Sequence, residues 1–559
     1  MDDSPRHALP GQFQNTSEDP APDLTKKILA WDEFQRLPSN PCTPPDLRQW
    51  NPARPCTSTQ KLLQESDCRS VLAVSWHSRK KWAVLWAVFG VQISMNFNAA
   101  VYPNAERGIA ADFGLSHGRV ALGMMIFLVT YAFGCELWAP WSEEWGRKWV
   151  MQASLLLVNI TCVGCAIAPN FETVFAMRFL GGLFSAGGSV TLGMVADMWE
   201  PEEQQLAVAF CGLSSVLGSV VAPIFGGFIE EYLPWRWTFW ICLILGFVVE
   251  LTHLMVPETR SSILCKREAR KRRAMGIDDC YGPGETAESK ISLKEICRIW
   301  ARPFIMLTTE PIVTFLSLLS GFSDALIFTF LESFKPVYDQ WGFTTVQRGL
   351  AFLPLPIGYF LAYAMYIPMV KRQRALVRQH GKHALKPEKR LKLLLFLAPL
   401  LSIGLIGFAW TSVGPPVHWI GTQFFVIPVG MANYAIYMGT IDYMVAAYGP
   451  YASSATGGNG FARDLLAGIS ALYAKPLYQN IGKKYHLNWA STVLSVLGVF
   501  VTIPLFIFYF FGPAIRKRSK FAKQIAQHRE EDEQRQGPSN TQQGGLWAQQ
   551  QVEVRNLEK

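Results

Sequence analysis

Charged residues are scarce in this sequence, because Asp, Glu, Lys and Arg together make up only 17% of its 559 residues. A soluble globular protein carries about a quarter, so a water-soluble array of domains is disfavoured. The charge that is present lies mainly in two terminal tails and two interior basic stretches. Between them run apolar blocks of about 20 residues, the length that crosses a bilayer as a helix. The composition therefore indicates an all-α integral membrane protein.

The sequence also lacks the motifs of several chemical functions. It has no GxxxxGK[ST] phosphate-binding loop, which argues against ATP-driven pumping by this chain. We find no cluster of metal-ligand residues and no recoverable catalytic triad, so we expect no cofactor, no metal and no enzyme activity. The eleven cysteines are odd in number and scattered, and they do not form a disulfide framework. The net charge of +9 comes from basic residues beside apolar blocks rather than along a groove, which argues against nucleic-acid binding.

Twelve apolar blocks are distributed along the chain, six before a charged stretch and six after it. They are 82–103, 120–139, 150–169, 173–196, 207–229, 235–256, 307–331, 350–370, 391–410, 417–443, 453–478 and 489–511. We therefore predict a mostly disordered N-terminal tail, a six-helix bundle, a hydrophilic linker, a second six-helix bundle and a C-terminal tail. Their bounds are 1–79, 80–256, 257–302, 303–512 and 513–559. Two pseudo-symmetric halves are typical of transporters that bind substrate near the membrane midplane and rock about it.

Basic residues predict the orientation of the chain in the membrane. The linker carries eleven Lys and Arg, and the connection 371–392 carries nine. Since cytosolic connections are enriched in Lys and Arg, both termini are predicted to be cytoplasmic. The first 30 residues contain no apolar segment of the signal-peptide kind, so we expect the first helix to direct insertion. We expect a plasma-membrane protein, with the vacuolar membrane as the alternative.

A motif of small and charged residues connects the second and third blocks. Its members are Gly134, Ser142, Glu143, Gly146, Arg147 and Lys148. Its glycines permit close helix approach and a tight turn. Its charges predict a cytosolic latch, in which Asp197 at the end of the fourth block pairs with Arg147. The motif resembles that of the major facilitator superfamily, in particular the fungal drug:proton antiporters with twelve spans.

Further motifs follow in the order found in the same family. Arg178 begins an Arg-x-x-x-Gly sequence in the fourth block, and Glu332 and Arg463 occupy positions at which relatives carry the same kind of residue. In the fifth block, the residues that resemble the antiporter motif are Gly212, Gly218, Ala222, Pro223, Gly226 and Gly227. The resemblance covers about residues 79–521 and implies a twelve-helix monomer that exports drugs, polyamines, toxins or secondary metabolites.

Six ionisable residues inside the blocks are candidates for the substrate cavity and for proton coupling. They are Glu136, Arg178, Asp324, Glu332, Asp442 and Arg463. A charge near the bilayer centre costs several kcal/mol and normally faces a partner or a water-filled cavity. The resemblance links Arg178 to proton coupling. Asp324 lies deeper in its block than Glu332 and is the preferred substrate-contacting acid, and we predict an inter-helix pair between Arg463 and Asp442.

These observations predict a proton-coupled exporter of small organic molecules that works by alternating access. A carboxylate whose surroundings change between two states takes up a proton on one side of the membrane and releases it on the other. Two alternatives remain open: proton-linked uptake of a nutrient on the same fold, and a non-transporting membrane sensor that signals through its tails. The expected partners are a small-molecule substrate, protons and the lipid bilayer.

Overall fold

The computed structural model describes residues 61–63, 65–185, 187–200, 203–276, 280–283, 285, 293–380, 387–485 and 487–518. Most of both predicted tails, residues 1–60 and 519–559, lies outside the described residues. The described chain is almost entirely helical, which confirms the predicted all-α class.

Eighteen α-helices occupy the described residues. In chain order they are α1 (Ser78–Ala100), α2 (Tyr102–Phe113), α3 (His117–Glu144), α4 (Arg147–Ala166), α5 (Phe171–Phe184), α6 (Gly187–Met198), α7 (Gln205–Tyr232), α8 (Arg236–Leu254), α9 (Ser261–Ala274), α10 (Leu293–Thr309), α11 (Pro311–Tyr338), α12 (Thr345–Leu350), α13 (Pro354–His380), α14 (Lys392–Leu397), α15 (Pro399–Thr411), α16 (Ile420–Tyr448), α17 (Ala452–Tyr485) and α18 (Leu487–Arg518). Short 3-10 turns lie at Glu65–Cys68, Ala73–Ser75, Asp339–Trp341, Pro387–Leu391 and Gly449–Tyr451. Two-residue strands lie at β1 (Lys61–Leu62) and β2 (Cys280–Tyr281).

Each of the twelve apolar blocks is helical, although not all of them have the same length or polarity. Ten helical segments of the described chain are long and apolar enough to cross a membrane. The fourth block is not among them because its helix breaks at Ser185, whose backbone is extended, and resumes as α6. The eleventh block is the 34-residue α17, which is long enough but has a more polar sequence.

Residues at the helix starts explain where several helices begin. Ser116 Oγ accepts the backbone N–H of Arg119 before α3 (3.4 Å), and Asn170 Oδ1 accepts that of Thr173 before α5 (2.8 Å). Each bond satisfies a donor that the first turn of a helix otherwise leaves open. Pro311 begins α11, at a position where its missing N–H has no intrahelical partner to lose.

The membrane helices group into two halves, which we name the N-terminal half (α1–α8) and the C-terminal half (α11–α18). In the first, α1 packs against α7, α3 against α5 and α4 against α8. In the second, α11 packs against α17, α13 against α16 and α15 against α18. The halves meet where α3 packs against α17 and where α7 packs against α12, α13 and α16. Buried Leu213 of α7 belongs to the same apolar cluster as Tyr434 of α16, so the core is continuous across this contact.

Residues 61–76 pack on the linker helix α9, and we name this unit the tail–linker module. Strands β1 and β2 pair in parallel and join the tail to the linker. Beneath them, Cys68 and Cys265 are fully buried in one small apolar cluster. Arg69 Nη2 lies 2.7 Å from Glu200 Oε1, just after α6. Ala73 is also buried in one apolar cluster with Val84 of α1 and Met198 of α6, so the module is fixed to the N-terminal half.

Glu285 lies in the linker segment after β2 and binds this segment to α9 of the module. Burial alone would raise the pKa of its carboxyl, but hydrogen bonds from Arg273 Nη1 (2.9 Å), the Gly282 N–H (3.0 Å) and Arg270 Nε (2.8 Å) lower that pKa to about 2. The carboxylate is consequently ionised at neutral pH and holds α9 to the segment that follows β2.

Candidate functional site

Arg147 is the centre of the motif between α3 and α4. Its Nε lies 3.2 Å from Asp197 Oδ2 on α6, and its Nη1 donates to Ser142 Oγ at 2.5 Å. Its Nη2 is 3.8 Å from Glu143 Oε1. The side chains of Arg147 and Asp197 are only 6% and 8% exposed, so solvent screens this pair little. The structure thus brings together four of the residues that the sequence assigns to a latch, and it ties the start of α4 to the end of α6.

Glu258, which follows α8, contributes a carboxylate that we did not predict at this latch. It accepts the backbone N–H groups of Arg147 (2.9 Å) and Lys148 (3.2 Å) at the start of α4. Gly146 has a φ of +97°, and its missing side chain leaves room for this carboxylate. Lys148 Nζ donates to the Leu254 carbonyl at 2.8 Å rather than to an acid. The N-terminal latch therefore joins α3, α4, α6 and the end of α8.

A second latch of the same design lies in the C-terminal half. Arg390, in the turn before α14, places Nη1 2.6 Å from Asp442 Oδ1 near the end of α16. Both latches pair an arginine at the start of a half's third membrane helix with an aspartate near the end of its fourth. The predicted pair of Arg463 with Asp442 is wrong. Arg463 lies roughly 8 Å farther from the α16–α17 turn than Asp442 does, measured along the helices.

Gln205 at the start of α7 connects the N-terminal half to this second latch. Its Nε2 donates to Asp442 Oδ1 (3.1 Å) and approaches Gln373 Oε1 of α13 (3.4 Å). Beside it, Arg374 Nη2 donates to the backbone carbonyl of Glu203 at 2.6 Å. We name the end of the molecule that carries these contacts and both latches the latch end. The two halves are joined there by polar contacts.

Replacing Gln205 with alanine should open the latch end. The lost hydrogen bond to a buried carboxylate contributes about 1.5–3 kcal/mol, which shifts a two-state equilibrium about tenfold or more. We expect faster maleimide labelling of Cys211, which is buried almost two turns farther along α7, measured by peptide mass spectrometry. Gln204→Ala is the matched control. Unchanged labelling of Cys211 in the Gln205 variant would show that this contact does not hold the halves together.

Arg178 is fully buried in α5 without a carboxylate partner. Its Nη1 donates to the backbone carbonyl (3.1 Å) and the Oδ1 (3.2 Å) of Asn98, and its Nε donates to the Gly123 carbonyl at 3.3 Å. Its guanidinium carbon lies 3.9 Å from the ring centre of Phe127 and 4.8 Å from that of Tyr102. In the described part of the chain, no acid lies within 4.0 Å of it, and its Nη2 has no hydrogen-bond partner. Among the described residues, the positive charge is thus held by dipoles and aromatic faces alone.

Arg463 of α17 lies between two carboxylates. Its Nη2 is 2.9 Å from Asp464 Oδ1, and its Nε is 3.9 Å from Asp324 Oδ2 on α11. Its guanidinium carbon lies 4.7 Å from the ring centre of Tyr437 on α16. Glu136 of α3 reaches the same helix from the other half.

Glu136 is buried against α17 at Gly457. A Cβ on Gly457 would lie 2.8 Å from Glu136 Oε1, so the absence of a side chain there admits the carboxylate. Gly457 and Asp464 are seven residues apart, which places them on one face of the helix. We name Glu136, Asp324, Arg463 and Asp464 the central acid cluster. It combines three carboxylates with one guanidinium, and it spans the contact between the halves.

A cavity of about 340 Å³ separates the halves at the end opposite the latches, which we name the cavity end. Its lining comes from α2, α3, α7, α11, α12 and α17, and it includes Glu332. Of the six ionisable residues predicted for the substrate cavity, Glu332 alone is part of this lining. Arg178 and the central acid cluster lie deeper, and Asp442 lies at the latch end. Glu106 and Lys475, which the sequence did not single out, also face the cavity.

The glycine-rich motif of α7 lies along the contact between the halves. Gly212 packs against Tyr437 and Met438 of α16, and Gly227 packs against Gly349 of α12, both in the C-terminal half. Pro223 also reaches the C-terminal half, because its carbonyl packs against Gly349 and it is part of the cavity lining. The other members face the N-terminal half or the core: Gly218 packs against Ile93, Gly226 against Asn104, and Ala222 is buried. Gly134 packs in the same way against the Gly182 and Leu183 carbonyls of α5.

The chain matches the family model described as Major Facilitator Superfamily over residues 85–472. It belongs to this superfamily. The match extends into both halves of the bundle, as far as α17, and contains every residue of the central acid cluster. The resemblance that we found in the sequence is therefore confirmed for the superfamily, and the chain is a multi-pass membrane protein of a transporter family.

Several named fungal transporters are similar to this superfamily member over most of its length. MFS-type transporter oryN of Aspergillus oryzae is 30% identical over 510 residues, which cover 88% of this chain and 94% of that protein. The ascochitine biosynthesis cluster MFS transporter of Didymella fabae is 30% identical, with 80% and 86% covered. MFS-type efflux pump MFS2 of Trichophyton rubrum is 28% identical, with 82% and 76% covered.

The fold of this superfamily member also resembles a solved structure. The proton:xylose symporter XylE of E. coli matches with a TM-score of 0.54 and 14% sequence identity, over 78% of this chain and 97% of that one. At this identity the likeness concerns the fold alone. It agrees with the two-half helical architecture described above.

Proposed function

We propose that this transporter is a proton-coupled exporter of small organic molecules that works by alternating access. The observation that carries the proposal is the charge imbalance of the central acid cluster. Glu136, Asp324 and Asp464 lie around a single cation, Arg463, and all four are largely buried. With every acid ionised, the cluster would carry two uncompensated negative charges inside a membrane protein, where each costs several kcal/mol. Bound protons would remove that cost.

The position of the cluster suits coupling between proton binding and rocking of the halves. Glu136 belongs to the N-terminal half and faces a helix of the C-terminal half. When the halves separate on one side, this carboxylate gains water and releases its proton more readily, and when they close it is desolvated again. Tyr437 and Arg463 stay with the C-terminal half throughout.

The names of two relatives support export of a small organic molecule. The relatives include a protein named as an efflux pump and a transporter of a biosynthesis cluster. We assign the latch end to the cytosol and both termini to the same side, at the plasma membrane, which agrees with the basic connections. The structure then corresponds to a state that is open towards the outside through the cavity and closed towards the cytosol.

The proton gradient supplies enough free energy for such export. One proton that crosses about 100 mV and one pH unit releases about 3.7 kcal/mol. With one-to-one exchange of a neutral substrate, this maintains roughly a 500-fold concentration gradient.

Untargeted metabolite analysis of the medium tests this proposal. Cells that express the chain should export compounds that control cells retain, and a protonophore should abolish the difference. Glu136→Gln and Asp324→Asn should reduce export strongly, because each removes a proton-binding group. Glu144→Gln is the control, since Glu144 lies on the same helix but is exposed. Export that continues unchanged with the protonophore would refute proton coupling.

A further inference from the structure

Some charged residues of the cavity lining form ion pairs with one another, but two of its carboxylates do not. The paired groups are Arg107 with Glu230 at 3.3 Å and Arg348 with Asp339 at 2.6 Å. Glu106 and Glu332 have no basic partner within 4.0 Å in the part of the chain that the structure describes, and each has one oxygen without a hydrogen-bond partner. Both acids are therefore free to receive a cation.

Glu106 is the more deeply buried of these two acids. It is only 5% exposed, yet it belongs to the cavity lining. A buried carboxylate oxygen without a donor has lost its hydration without gaining a hydrogen bond in return, which is unfavourable. Glu106 lies on α2 of the N-terminal half and Glu332 on α11 of the C-terminal half, so a cation between them would contact both halves. Both carboxylates line the same cavity, so their like charges repel each other unless a cation or a proton lies between them.

Lys475 of α17 is a partly buried basic residue that lines the same cavity as these two acids. It interacts electrostatically with both Glu106 and Glu332, but no acid of the described chain lies within 4.0 Å of it. The remaining unpaired basic groups of the lining, His117 and Lys335, are exposed to solvent. Lys475 therefore competes with any external cation for the two carboxylates.

The apolar part of the lining and the cavity volume indicate the size and polarity of the uncharged part of the ligand. Leu331, Phe334 and Phe352 form an apolar wall, and both phenylalanines are almost fully buried. The cavity volume of about 340 Å³ is at the lower end of the range for small-molecule sites. Such a cavity accepts a compact ligand with one charged end and one apolar or aromatic end.

We propose that Glu106 and Glu332 bind the ammonium group of a primary amine whose aromatic or apolar body lies against Phe334 and Phe352. This assignment rests on the proposed export function, because it makes the cavity the outward-side binding site of that transport cycle. The ammonium donates one hydrogen bond to each half and supplies the positive charge that the two carboxylates lack. The substrate class is accordingly organic amines rather than organic acids.

Equilibrium dialysis of the purified full chain with radiolabelled benzylammonium tests this site. The protein is held in neutral-lipid nanodiscs at one pH on both sides, so no gradient is involved. We expect saturable binding that unlabelled benzylammonium displaces and that benzyl alcohol and benzoate do not. Glu106→Gln and Glu332→Gln should each weaken binding about tenfold or more, since each removes a hydrogen bond between charged groups.

Two further variants distinguish binding at this site from non-specific attraction of the cation to acids on the surface. Lys475→Met should tighten binding, because it removes the internal competitor. Glu172→Gln should leave binding unchanged, since Glu172 is an exposed acid at the same end that is paired with Arg119. Equal affinity of the wild type and both acid variants would overturn the proposal, and so would displacement by benzoate. If binding fails while protonophore-sensitive export remains, only the amine site is refuted; if binding holds and export ignores the protonophore, the proton coupling is refuted instead.

Discussion

Replacing Arg463 with glutamine is expected to abolish transport and to destabilise the fold by about 3–5 kcal/mol, the range seen when one partner of a buried ion pair is removed. Arg463 is the single cation of the central acid cluster and pairs with Asp464 and Asp324. Without it, the remaining acids repel one another in a buried site. Thermal unfolding of the purified protein and export by intact cells measure the two effects.

The double variant Arg463→Gln with Asp464→Asn separates charge balance from coupling. The double variant removes one positive and one negative charge, so the net charge of the cluster is that of the wild type. We therefore expect most of the lost stability to return while transport remains absent. Arg119→Gln is the control, since that arginine forms an exposed pair with Glu172. An Arg463→Gln protein as stable as the wild type would show that the cluster does not depend on this cation.

Replacing Arg178 with methionine should abolish transport but, unlike the Arg463→Gln change, should leave the protein stable. Arg178 is fully buried and has no acidic partner within 4.0 Å among the described residues. Since an unpaired buried charge is unfavourable, a methionine of similar length should keep the stability within about 1 kcal/mol of the wild type or raise it. We therefore propose that the guanidinium of Arg178 serves transport rather than stability.

The measurement for Arg178→Met is the same pair of unfolding and export assays. Arg236→Met is the matched control, because Arg236 is a half-exposed arginine of the same half that is paired with Asp112. Normal export by the Arg178 variant would show that the guanidinium is only a packing group. Severe loss of stability would show that its contacts with Asn98, Gly123 and Phe127 outweigh the desolvation of the charge.

The helices and the contact between Arg147 and Asp197 could be predicted from the sequence because both depend on local patterns. Apolar blocks of membrane-spanning length identify helices directly, and Arg147 with Asp197 lies within a motif whose order is recognisable. The break at Ser185 and the polar character of α17 are harder to predict, because a hydropathy pattern does not show where a helix is interrupted. Nor does it show which polar face is turned inwards.

The pairing of Arg463 could not be derived in the same way. Neighbouring residues on a helix normally point in different directions, so a bond from Arg463 to Asp464 is unexpected from their spacing. Glu106 was missed because it lies beyond the end of the first apolar block, on a helix that continues to Phe113. Arg390 was one of nine basic residues in its connection, and no sequence feature distinguishes it from the other eight.

The tail–linker module bears on the movement of the halves that we propose. Because the module fixes the linker to the N-terminal half as far as Glu285, the tether that leads to Leu293 of α10 is much shorter than the linker as a whole. Eight residue steps reach at most about 28 Å when fully stretched. In the alternating-access cycle that we propose, the tail therefore limits how far the halves can separate. Deleting the tail segment that packs on α9 is expected to allow a larger separation.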